Sequence, residues 1–157
     1  MSEIESRLHA LGLTLPESAS PPAASYVPYV VSDGIVTISG QLPMIDGNIE
    51  GNTGILGKDV TLEEGVRIAK LCTLNVLAHL KAACQGDFSR VHQVIRLGVF
   101  VASTPEFVDQ PLVANGASEL ILTLFEERGA HARAAVGVSS LPKGVAVEVE
   151  AQCRIRP

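Results

Sequence analysis

Apolar positions in this chain follow two rhythms, one of period two and one close to 3.6, in successive blocks. Tyr26–Val31 and Gly34–Ser39 are β-branched runs split by Asp33-Gly34, a pair that predicts a hairpin turn. Thr61-Leu62-Glu63-Glu64 reads as a capping box, in which Thr61 accepts from the backbone three residues on and Glu64 reaches back. The helix it opens carries Val66, Ala69, Thr73, Val76, Leu77, Leu80 and Cys84 as its apolar stripe and stops at Gly86. His92–Ala102 predicts a strand. Pro111, tolerated in a first helical turn, opens a second helix that runs to Arg128 and closes at Gly129. Ala132–Ser139 and Val145–Ile155 predict a closing hairpin through Leu141-Pro142-Lys143-Gly144. Ahead of these, Ile4, Leu8 and Leu11 space a short helix over Ser2–Leu11, and Leu15–Ala24 is a Pro/Ser/Ala-rich connector. The order hairpin, α, β, α, hairpin predicts an α+β fold with helices on one sheet face.

Alternation sorts each strand by face. Ile95, Leu97, Val99 and Val101 oppose Arg96, and Val145, Val147, Val149 and Ala151 oppose Glu148, Glu150, Gln152 and Arg154. Ala132, Ala134, Val136 and Val138 are expected to face the helices, with Arg133, Ala135 and Gly137 turned away. The second face mixes small, polar and charged groups. It either meets water or, as the sparse surface charge favours, packs on other copies and leaves a polar cleft where edges meet.

Composition narrows the function. The 157 residues suit one domain, 46% hydrophobic and 18% charged, without Trp. A net charge of −5 with basic residues scattered singly argues against nucleic acid as partner. Cys72, Cys84 and Cys153 lack metal or disulfide spacing and read as small buried hydrophobes. No apolar leader and no membrane-length run is visible, so a cytoplasmic protein without membrane attachment is expected. There is no P-loop, dinucleotide fingerprint, H-E-x-x-H or G-x-S-x-G, and no cofactor or metal is expected. His9, His79, His92 and His131 show no ligand spacing; only His131, close to Arg133, stands near candidate chemistry.

Arg133, between small neighbours, offers a planar fork suited to a carboxylate. The same residue could instead form an ion pair with Glu148 or Glu150 across the closing hairpin. Glu148 is either a general acid/base or water-orienting group or an exposed strand carboxylate. Tyr26 and Asn115 carry weaker signals in isolation.

Ser39-Gly40-Gln41-Leu42-Pro43, the strand Val94–Val101, and the block A-R-x-x-V-x-V-x-x-L-P-x-x-x-x-V-E-V-E-A ending at Ala151 together resemble the Rid/YjgF family. These are reactive-intermediate imine deaminases also labelled L-PSP endoribonucleases. The resemblance spans roughly Tyr26 to Ile155, making 1–25 an N-terminal helix and connector and 26–157 the family-like domain. It implies a chorismate-mutase-like fold and a homotrimer with three clefts between subunits. Arg133 then matches the arginine that binds the substrate carboxylate, and Glu148 the glutamate that helps place water. Tyr26 matches the tyrosine ahead of the first strands, and Asn115 the asparagine of the second helix. Ala135 stands where better-known members have cysteine, so only the backbone carbonyl there could hold a water or the substrate nitrogen. The implied activity is hydrolysis of small enamines or imines to 2-keto acids and ammonia. Non-catalytic binding of small carboxylates is the alternative, and RNA cleavage stands well behind.

Overall fold

A computed structural model describes residues 2–17 and 25–157; the part of the Pro-rich connector at 18–24 lies outside them. The elements are α1 (Glu3–Ala10), β1 (Tyr29–Ser32), β2 (Ile35–Gln41), α2 (Leu62–Ala83), β3 (Val91–Ala102), α3 (Gln110–Phe125), β4 (Ala132–Val138) and β5 (Val147–Ile155). Local signals set most boundaries. Asp33 and Gly34 take φ of 50° and 75°, the left-handed pair that lets two residues close the β1–β2 hairpin. Thr61 and Glu64 form the capping box on α2, and Ser2 with Glu5 forms a second one on α1 that the apolar spacing alone did not reveal.

The strands make one sheet in the order β1-β2-β5-β3-β4. β5, last in sequence, lies in the centre and runs antiparallel to both β2 and β3. β4 pairs with β3 in parallel, Leu97 opposite Arg133, so β4 and β5 lie on opposite sides of β3. The closing hairpin expected from the sequence is therefore not formed. After β4 the chain makes a short turn, with Lys143 at φ 56°. It then crosses to the Asn52–Thr53 loop, where Ala146 N–H donates to Asn52 O at 3.0 Å, and enters the sheet centre.

Leu97, Val99 and Val101 of β3, and Val147, Val149, Ala151 and Cys153 of β5, face α2 and α3 and are buried. Residues 72–80 of α2 are all buried, a wider band than one stripe, because the helix packs on the sheet, on α3 and on the 42–44 segment at once. Asn75 pays for its burial by donating to the carbonyls of Leu42 and Met44 at 3.1 and 2.9 Å. Ile4 and Leu8 of α1 join the same core, with α1 lying against α3. Cys72, Cys84 and Cys153 are buried free thiols.

One face assignment is reversed. On β4 the residues read as core-facing are open: Ala132 and Ala134 are exposed, and Val136 is 46% exposed. Arg133 and Ala135 are the pair turned toward the helices. Period two links residues to a common face but does not say which face is covered, and here α3 covers the one with the arginine.

Candidate functional site

Arg133 stands on the edge strand with its guanidinium against α3. Its Nη1 donates to Asn115 Oδ1 at 2.9 Å and to Ser118 Oγ at 3.1 Å, and its Nη2 to Pro111 O at 3.2 Å. Asn115 and Ser118 are three residues apart on a helix and so present their oxygens on one face. A guanidinium has five N–H donors; Nε–H and one Nη2–H remain beyond these three bonds, enough for a carboxylate. Ala135, two residues along the same face, packs half-buried against the core. Beyond it Gly137 borders a cleft of about 610 Å³ with Ser103, Phe107 and Gln110. A Cβ at Gly137 would come within 2.6 Å of Ser103 Oγ and 2.8 Å of Gln110 Nε2, so a larger residue there would push both side chains aside.

The ion pair that the sequence left open for Arg133 is not made. Glu150 pairs with Arg96 on β3 at 2.9 Å. Glu148 lies opposite Phe100, while Arg133 lies opposite Leu97, on the other side of β3. Two strand spacings and three residues separate the two Cα positions by about 14 Å, and the side chains leave opposite faces. One chain does not bring Arg133 and Glu148 together.

Glu148 belongs with a different group. Its carboxylate packs on Gly40, where a Cβ would overlap Oε1, so the bulge at the end of β2 is shaped around it. Burial first, and the neighbouring Glu150 second, raise its pKa from the ordinary glutamate value. Tyr26 is 49% exposed. It precedes a segment strapped to the same end of β2, where Ser39 Oγ donates to Val27 O at 2.8 Å and Ser39 N–H to Pro28 O at 2.9 Å. The expected site residues thus divide in two: Arg133, Asn115 and Ala135 beside α3, and Tyr26 with Glu148 toward the β1 side. Four strand spacings, about 19 Å, lie between the sheet edges that carry Arg133 and Tyr26.

Sequence reasoning missed Ser118 and Gly40. The signal for Ser118 was its spacing from Asn115 on a helix otherwise rich in Ala and Leu. Gly40 had none beyond its place in a quoted segment. Among the described residues no group of three or more His, Cys, Asp or Glu is placed to hold a metal, and no helix is long and apolar enough to cross a membrane.

A family model described as YjgF/chorismate-mutase-like endoribonuclease matches residues 5–149. Over 150 residues the chain is 49% identical to Protein TCP17 of Trypanosoma cruzi, covering 94% of this chain and 91% of that one. The crystal structure of Atu1372 from Agrobacterium tumefaciens, a protein of unknown function, superposes with a TM-score of 0.90 at 51% identity, over 98% of this chain and 94% of that chain. TdcF of E. coli, solved with bound serine, superposes with a TM-score of 0.58 at 25% identity, over 92% and 99%.

Proposed function

The chain belongs to the YjgF/chorismate-mutase-like family, and on that premise we propose that it hydrolyses small enamine or imine intermediates of amino acids to 2-keto acids and ammonia. The observation that carries the reading is the guanidinium of Arg133, held by three acceptors of its own chain with two donors to spare. A small 2-imino acid offers a carboxylate to those donors. Its imine carbon then lies one bond from the fixed group, where water adds and ammonia leaves. The intrinsic barrier is low, so holding water and carbon in attack geometry supplies most of the acceleration, without a covalent intermediate.

Glu148 is the water-orienting group of this reading and Tyr26 a wall of the cleft. Since one chain keeps them away from Arg133, the complete site takes Arg133, Asn115 and the backbone at Ala135 from one copy, and Tyr26 and Glu148 from another. A homotrimer supplies three such clefts. The exposed outer face of the sheet, with Val30 and Val136 uncovered at 53% and 46%, supports association.

The test generates imino acids with an amino-acid oxidase and follows imine loss with and without the protein. Faster loss is expected, and Arg133→Ala should remove the effect. If small, branched and aromatic imines all decay at the uncatalysed rate while 2-keto acids still bind, the protein is a carboxylate binder. That second reading is favoured by one residue only, Ala135 in place of a thiol. RNA cleavage would return only if wild type cuts RNA and Arg133→Ala does not.

A further inference from the structure

Building on the carboxylate clamp proposed above, we infer that Ser118 and His131 form a side-chain relay that sets the guanidinium of Arg133 and so fixes how tightly the site holds a carboxylate. Both are positioning residues. Ser118 is 8% exposed, and its Oγ lies 3.1 Å from Arg133 Nη1 and 2.8 Å from His131 Nε2. His131 Nδ1 lies 2.6 Å from Gly129 O. A carbonyl only accepts, so Nδ1 carries a proton. In the neutral ring Nε2 is then an acceptor, and the Ser118 hydroxyl donates to it. That leaves the Ser118 lone pairs for the arginine.

The bonds therefore run in one direction, from Arg133 to Ser118 to His131 to the carbonyl of Gly129. A group that accepts one bond in the chain donates the next more strongly. The far end is also pinned, because Gly129 is buried and a Cβ there would come within 2.6 Å of Ile121 O on α3. An arginine side chain has many rotamers to lose on binding, and fixing it beforehand removes that cost from the ligand. Asn115 fixes one Nη1 proton and the relay fixes the other.

The experiment titrates 2-oxobutanoate into the full-length protein and into Ser118→Ala, His131→Leu, the double variant and His131→Gln. Ser118→Ala and His131→Leu are each expected to raise Kd about tenfold. The double variant should be no worse than either, since the two residues act in series. His131→Gln should stay within about threefold of wild type, because its amide oxygen can accept in place of Nε2. A second measurement needs no ligand: Arg133 Nη resonances should be resolved in wild type and averaged in Ser118→Ala. If wild type binds and both relay variants, with wild-type melting temperatures, bind within about twofold of it, the relay is wrong and the clamp stands. If folded wild type takes up no 2-oxobutanoate at millimolar concentration, the clamp reading falls and takes the relay with it. Should Ser118→Ala fail to fold, the pair His131→Leu and His131→Gln, at a partly buried position, decides alone.

Discussion

The two halves of the proposed cleft are built in opposite ways. On the β4 side Arg133 meets three acceptors of its own chain, and a seven-residue edge strand is braced by a sixteen-residue helix. On the β1 side the edge strand has four residues, Val30 and Val31 are 53% and 47% exposed, and Tyr26 is half open. Glu148, which belongs with that side, rests on a glycine, and no cation or hydrogen bond among the described residues offsets the burial that raises its pKa. One half is preorganised by its own fold; in the proposed function the other is completed by a second copy. A ligand cleft shared in this way ties activity to assembly.

The sharpest way to break that contrast is to separate the halves by mutation. Arg133→Ala should weaken 2-oxobutanoate binding by about a hundredfold or more, through loss of a bidentate charged contact. Glu148→Gln should bind normally and turn over about a hundredfold more slowly. Co-assembled Arg133→Ala and Glu148→Gln chains should regain part of the wild-type rate. An inactive mixture of verified hetero-oligomers would mean that Arg133 and Glu148 do not serve one cleft.

Glu148→Gln sharpens the contrast in a second way. A carboxylate whose pKa is raised on folding stabilises the fold only below its ordinary pKa, and that contribution is lost as pH rises through the raised value. At pH 7 the charged group is a burden, so Glu148→Gln should melt a few degrees higher than wild type, by about 2–4 °C for each kcal/mol relieved. A melting temperature that falls instead would mean that Glu148 has a partner in the assembly.

His79 tests the β1 side from below. It is 2% exposed, its ring nitrogens have no partner among the described residues, and it lies 6.3 Å from the Tyr29 ring. Burial lowers its pKa, so the unfolded chain binds the proton first as pH falls below about 6.5 and stability drops across that window. His79→Leu should flatten the melting temperature between pH 7 and 5 relative to wild type, by about 3 °C. Smallest of all is Glu5, whose pKa is pulled to about 2 by the Lys81 ammonium and then by its capping bonds to Ser2. Its contribution is present above the ordinary carboxylate pKa and fades as pH falls toward 2. Glu5→Gln should cost about 1 °C at pH 7, because the pair is partly open to solvent.

How much of this was legible in the sequence depends on the range of the cause. Caps, turns and helix lengths are local, and Thr61, Glu64, Asp33 and Gly34 announced them. Strand order is not local. Nothing in Leu141–Gly144 distinguishes a hairpin turn from a link that carries β5 across β3 into the sheet centre. That error carried into the site, since a hairpin would have made the strands of Arg133 and Glu148 neighbours, whereas β3 lies between them. Alternation paired Arg133 with Ala135 and Gly137 correctly, yet the apolar look of Ala132, Ala134 and Val136 pointed to the wrong side. Helix α3 prevails there because Asn115, Ser118 and the Pro111 carbonyl satisfy the arginine.

The central position of β5 bears on how the protein is made. Synthesis proceeds from the N-terminus, so β2 and β3 emerge from the ribosome before the strand that joins them exists. Until Val147–Ile155 follows, the β1–β2 hairpin and the α2-β3-α3-β4 unit each expose an unpaired strand edge. Nascent chains stalled before residue 147 should therefore bind chaperones and resist folding, however complete their helices. The few residues that close the sheet also deliver Glu148, so the last strand to arrive brings with it the carboxylate of the proposed cleft.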